Sequence, residues 1–129
     1  MSTVQLARPT LLIVESNRAL LDRLARHFSA RGFAVTAVHH PRQAVASTQQ
    51  RCYEQVLVGS TLPEVDGQRL AETLRRNLGN VRVVLLSDVA DHALRDDALE
   101  AGIDFVPANP ARLSQLEELL SPVASTGPQ

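Results

Sequence analysis

Apolar and polar residues follow one another along this chain in ordered blocks. The run LLIV (11–14) is continuously apolar and β-branched in its second half. That is the pattern of a short strand buried on both faces. A helical stripe follows, with Leu20, Leu21, Leu24, Ala25 and Phe28 recurring at spacings of three and four. Asn17 suits the cap that opens this helix, and Gly32 in RGF suits its end. FAVTAV (33–38) predicts a second strand, and HPRQAVASTQQR (40–51) a helix with Pro41 at its first position. QVLVG (55–59) predicts the third strand. Asp66 and Gly67 then precede a helix whose inward stripe is Leu70, Ala71, Leu74 and Leu78. VRVVLLS (81–87) predicts the fourth strand. Asp91 caps a helix through HALRDDALEA (92–101), which Gly102 ends. FV (105–106) is a short fifth strand, and Asn109 with Pro110 opens a last helix carrying Leu113, Leu116, Leu119 and Leu120.

Five strands alternating with five helices predict an α/β fold, a parallel sheet covered on both faces. Right-handed crossovers leave few layouts, of which the flavodoxin-like strand order 2-1-3-4-5 leads. That order places a crevice at the carboxyl ends of the strands. Its lining would be Glu15, Ser16, residues 59–61, Ser87, Asp88 and residues 107–109.

Composition narrows the function more than the fold. The 129 residues make one domain, expected over 10–121, with an extension at 1–9 and a small, polar, proline-containing tail at 122–129. Hydrophobic residues are 44% of the chain, enough for one core. The net charge is −1, from 13 basic and 14 acidic residues without a basic block, which argues against direct nucleic-acid binding. Aromatic residues are 3%, too few for a stacking platform. The apolar runs are far shorter than a membrane span, and MSTVQLARPT lacks a signal-peptide core. A single cysteine, Cys52, excludes an internal disulfide and suits a reducing, cytoplasmic location.

Four stretches in order carry a family resemblance: LIVESN (12–17), LPEVDG (62–67), VVLLSD (83–88) and ALEAGID (98–104). With these motifs on the predicted strand ends and helix ends, the chain resembles the receiver domain of two-component response regulators from about Thr10 to Leu120. The resemblance implies a defined chemistry. An aspartate ending the third strand attacks a phosphodonor. Two acidic residues after the first strand hold magnesium, a hard cation that takes oxygen ligands. A lysine after the fifth strand stabilises the phosphoryl oxygens. A hydroxyl residue on the fourth strand engages the new phosphoryl group, and an aromatic residue on the fifth strand repositions.

Transferred position by position, that site is degenerate here. The nucleophile position falls on Gly59, which has no side chain. The acidic pair falls on Glu15 and Ser16, so the second carboxylate is replaced by a neutral hydroxyl. The hydroxyl position is kept as Ser87. The lysine position falls on Asn109, or on Ala108 with a small shift, and neither is cationic. The switch aromatic falls on Val106, or on Phe105 with a one-residue shift. In the family the bond corresponding to Asn109–Pro110 is usually cis. Three charges that act together are therefore absent together.

Each singled-out residue also has a plain structural reading. Gly59 relaxes a turn that no longer presents a side chain, or it lets a group approach the backbone closely. The first is the simpler expectation. Glu15 is expected as a leftover carboxylate hydrogen-bonded to nearby amides, and Asp66 as a helix cap. Asn109 and Pro110 suit a cap and a first helical residue. His39 and His40 are expected in solvent-facing loop positions, where adjacent residues make a poor joint metal site. Cys52 has no basic activator near it in sequence except Arg51, and no catalytic role is expected of it.

The expectation is a pseudo-receiver: no enzyme, no cofactor, weak or absent magnesium binding, and signal transduction by protein–protein contact. The resemblance puts the output face on the fourth helix, fifth strand and fifth helix, including His92, Arg95, Asp96, Glu100, Arg112, Gln115 and Glu118. The partner would be a signalling protein, a histidine kinase or a fused effector domain. A homodimer stays open, and neither nucleic acid nor membrane is expected as a direct partner. Two alternatives remain at this stage: a small-molecule-sensing module using the crevice, and phosphotransfer through Ser60 or Thr61.

Overall fold

The apolar runs pair side by side, and the three central ones are buried on both faces. The structure, a computed structural model, describes residues 8–79, 81–87, 92–107 and 113–120. Its strands are β1 (Thr10–Val14), β2 (Ala34–Val38), β3 (Gln55–Gly59), β4 (Arg82–Ser87) and β5 (Asp104–Pro107). Its helices are α1 (Arg18–Ala30), α2 (Pro41–Gln50), α3 (Gly67–Leu78), α4 (His92–Glu100) and α5 (Leu113–Leu119). The sheet is parallel throughout, in the order β2-β1-β3-β4-β5. This is the flavodoxin-like layout that the alternation predicts.

The sheet separates two cores, as the twofold period of a strand requires. On one face Leu12, Val14, Val56, Val58, Val83 and Leu85 meet Ala44 of α2, Leu70, Ala71 and Leu74 of α3, and Ala98 of α4. On the other, Leu11, Ile13, Leu57, Val84, Leu86 and Val106 meet Leu21, Leu24 and Phe28 of α1, Leu116 of α5 and Leu120 just after it. At the amino-terminal edge, Thr10 N–H donates to Glu54 Oε1 at 3.1 Å, and Glu54 N–H donates to Thr10 Oγ1 at 2.9 Å. This reciprocal pair locks the starts of β1 and β3.

The helix ends explain where sequence and structure differ. Phe33, expected inside the second strand, lies just outside it. Its N–H donates to Phe28 O at 3.1 Å, while Gly32 N–H donates to Ser29 O at 3.1 Å and Gly32 takes φ 99°. This is the Schellman closure, with the Phe28 and Phe33 rings edge to face at 5.5 Å as its apolar contact. The same device ends α4: Ile103 N–H donates to Ala98 O at 2.9 Å, Gly102 N–H to Leu99 O at 3.1 Å, and Gly102 takes φ 79°. The expected caps Asp91, Asn109 and Pro110 lie outside the described residues. Among the described residues, no helix is long and apolar enough to cross a membrane.

Candidate functional site

Parallel pairing brings the carboxyl ends of β1, β3, β4 and β5 to one edge of the sheet. Val14 pairs with Val58, Gly59 with Leu86, and Ser87 with Pro107. The chain beyond each strand is held there by further backbone bonds. Glu15 N–H donates to Val38 O at 3.1 Å, and Ser60 N–H donates to Leu86 O at 2.8 Å. Glu15, Ser16, Gly59, Ser60, Thr61, Ser87 and Pro107 therefore all end at this edge, where the strand order reverses. Asp88, Ala108 and Asn109 lie outside the described residues.

Glu15 and Gly59 form the centre of this arrangement. Glu15 is buried, and its Oε2 accepts the Asn17 N–H at 2.8 Å. This is the amide-bonded carboxylate that the sequence suggests. Gly59 is not in a turn, however. It is the last residue of β3 and is buried, and the Glu15 carboxylate lies directly against it. A Cβ at position 59 would overlap Glu15 Oε1 and stand 3.1 Å from Glu15 Cδ. The close-approach reading of Gly59 is the correct one, and the group that approaches is a side chain of the same chain.

Ser16 and the loop after β3 complete the edge. Ser16 Oγ donates to Thr61 O at 2.8 Å, tying the loop after β1 to the loop after β3. Gly67 N–H donates to Ser60 O at 3.1 Å, and Thr61 and Asp66 face each other in an antiparallel bridge. Asp66 caps α3 as expected, its Oδ1 accepting Gln68 N–H at 3.1 Å. Ser87 is buried at the end of β4. Among the described residues, no group of three or more His, Cys, Asp or Glu side chains is placed to hold a metal ion.

Several contacts escape a reading of the sequence. His40 is not a free loop residue: its Nδ1 accepts Arg42 N–H at 3.0 Å and so caps α2. That bond puts the ring proton on Nε2, which faces Glu64 Oε2 at 3.6 Å, while Arg42 Nη2 lies 3.5 Å from Glu64 Oε1. Glu64, at φ 70°, is the tip of the loop after β3. His39 is not free either, because Arg18 Nη2 lies 3.0 Å from its Nε2. A histidine before a proline is the one signal that could have suggested the cap. Nothing local marks the partners, which come from other strand ends.

On the expected output face, Arg95, Asp96 and Glu100 of α4 and Glu118 of α5 are exposed, and Gln115 is half-buried. His92 begins α4, and Arg112 lies outside the described residues. Leu99 adds an apolar side chain to the outer surface of α4, 50% exposed.

Comparison with known proteins gives this fold and site a family. The response regulator receiver domain profile matches residues 11–121, and the chain belongs to that family. It is 30% identical over 116 residues to the transcriptional activator protein PfeR of Pseudomonas aeruginosa, covering 90% of this chain and 38% of that protein's length. Among solved structures it superposes on a response regulator from Burkholderia pseudomallei, which carries a phosphorylated aspartic acid, a calcium ion and citrate. The TM-score is 0.78 with 25% identity, over 92% of this chain and 70% of that one. It also superposes on a CheY-like receiver domain from Methanospirillum hungatei, with TM-score 0.80 and 21% identity, over 94% of this chain and all (100%) of that one. The chain is thus a receiver domain of two-component signal transduction.

Proposed function

We propose that this receiver domain is a degenerate one, which is not phosphorylated at the family's usual position, is not an enzyme, and transmits its signal by protein–protein contact. The observation that carries the reading is Gly59, buried at the end of β3 with the Glu15 carboxylate against it. A residue without a side chain offers no nucleophile to a phosphodonor. The donor set does not fit a resident magnesium ion either. Such an ion takes several hard oxygen ligands in near-octahedral geometry. Ser16 brings no charge, and its hydroxyl already donates to Thr61 O. One oxygen of Glu15 is engaged by the Asn17 amide.

Without a phosphoryl group, a partner has to set the conformation, because an equilibrium shifts only toward a state that a ligand binds better. The α4–β5–α5 face suits that role. Exposed Leu99 stands one helical turn after Arg95 and beside the exposed Asp96 and Glu100. An apolar anchor ringed by charges is the usual make-up of a protein interface. The partner is a histidine kinase or an effector domain of the same signalling pathway. A relative named as a transcriptional activator supports the second.

The test is intact-mass analysis after incubation with a small acyl phosphodonor and magnesium, alongside a beryllofluoride titration followed by NMR. The expected result is an unmodified mass and no saturable, magnesium-dependent change. A covalent phosphoryl adduct on any residue overturns the reading.

A further inference from the structure

The loop between β2 and α2 holds two adjacent histidines, and each accepts a hydrogen bond with one ring nitrogen. His39 Nε2 lies 3.0 Å from Arg18 Nη2, at the start of α1. A guanidinium donates and never accepts, so Nε2 is the acceptor and the proton of this ring sits on Nδ1. His40 Nδ1 accepts the Arg42 N–H at 3.0 Å, so the proton of this ring sits on Nε2. Both rings are therefore neutral, in opposite tautomers. Each bond fails once its accepting nitrogen is protonated. Water can reach both rings, which are only half-buried.

The charges that face the pair come from three elements. Arg18 stands on α1 and Arg42 on α2, and Glu64 Oε2, on the loop after β3, is 3.6 Å from His40 Nε2. Gln43 Oε1 accepts the His39 N–H at 3.0 Å and does not titrate. A proton entering His39 ends its bond to Arg18 and sets two cations against each other. A proton entering His40 removes the cap from α2, and Nε2–H, now on a cation, is drawn to Glu64. Protonation thus loosens two helix starts and tightens one loop contact.

We propose that His39 and His40 form a proton-sensitive latch at the carboxyl edge of the sheet. With both rings neutral, it ties the starts of α1 and α2 to the end of β2. On protonation it releases Arg18 and the Arg42 amide, and His40 turns to Glu64. The loop that carries Glu64 also holds Thr61, whose carbonyl accepts from Ser16 Oγ, so the latch acts on the same edge as the candidate site. Its meaning in signalling rests on the degenerate-receiver reading, whereas the latch itself is independent of it.

The experiment is a pH titration of the full chain by NMR, following the imidazole nitrogens, the Arg18 guanidinium and the backbone amides. Histidine ordinarily changes charge between about pH 5 and 8, and that interval is the one to scan. At the upper limit His39 is expected in the Nδ1–H tautomer and His40 in the Nε2–H tautomer. Toward the lower limit the Arg42 amide is expected to lose about fivefold of its protection from solvent exchange, the equivalent of a helix cap of about 1 kcal/mol. That loss should follow the His40 ring, with the Glu64 amide shifting in the same step, and the Arg18 guanidinium should follow the His39 ring. His40→Asn keeps a capping acceptor that does not titrate, so Arg42 protection should become independent of pH. His39→Gln should remove the Arg18 change and leave the Arg42 change in place. Either ring in the other tautomer, constant Arg42 protection across the scan, or a loss that persists in His40→Asn overturns the proposal. A phosphoryl adduct on the unaltered chain would remove the preceding reading and leave the tautomers and the titration as they are.

Discussion

Gly67 and Gly59 face each other across the turn after β3, and each lacks a side chain for a different reason. At Gly67 the obstacle is backbone. A Cβ there would overlap Gly59 O and lie 2.7 Å from Ser60 Cα and 2.8 Å from Ser60 O. No rotamer change relieves such a contact. We expect Gly67→Ala to destabilise the domain by on the order of 3 kcal/mol, measured by denaturant unfolding, with no rescue by Glu15→Ala. Gly59→Ala, whose obstacle is the end of a flexible side chain, should cost less. The final DG of LPEVDG is thus explained by the fold: Asp66 caps α3 and Gly67 admits the strand end. Ser16→Ala should cost about 1 kcal/mol through loss of the bond to Thr61 O, without removing any charge.

Among the elements, the helix starts at the crevice differ in how they are capped. Asn17 caps α1 through Leu20 N–H at 3.0 Å, an ordinary Asn cap that the sequence announces. His40 caps α2 with a ring nitrogen and at the same time faces Glu64. Asn17→Ala is expected to cost about 1 kcal/mol in chemical denaturation. His40→Asn should retain the cap and lose the approach to Glu64, so its amide-exchange change should concentrate in the loop of residues 60–66 rather than in α2. At the other end of the molecule α1 meets α5 through charge. Glu117 Oε2 lies 2.9 Å from Arg31 Nη2 and 2.5 Å from His27 Nε2, which makes no hydrogen bond. On α4, Leu99→Asp should abolish capture of the signalling partner while leaving stability within roughly 0.5 kcal/mol, since the side chain is half exposed.

For the whole molecule, burial divides the sheet into a rigid centre and softer margins. All five residues of β3, and every residue of β1 and β4 but the first, are buried, whereas no residue of edge strand β2 is. Opening free energies follow buried apolar contact. Native-state hydrogen exchange should therefore show β1, β3 and β4 exchanging only through global unfolding. β2 should exchange through smaller openings, and equal protection across the sheet would contradict this. A truncation such as Leu12→Ala or Leu85→Ala in the centre should cost about 2–5 kcal/mol.

Much of this architecture is legible from one-dimensional pattern. Apolar runs with no polar face require a doubly covered parallel sheet, and the stripes Leu21–Leu24–Phe28 and Leu70–Ala71–Leu74 require the helices that cover it. Caps at Asn17 and Asp66 are local chemistry and are read locally. The sequence by itself therefore determined the fold, the strand order through the handedness of crossovers, and a last residue of β3 that has no side chain. Only the tertiary structure decided what lies against that residue. The Glu15–Gly59 contact, the Ser16–Thr61 bond and the His40–Glu64 approach join residues 44, 45 and 24 positions apart. Strand register brings them together, and no periodicity within either segment encodes which atom meets which.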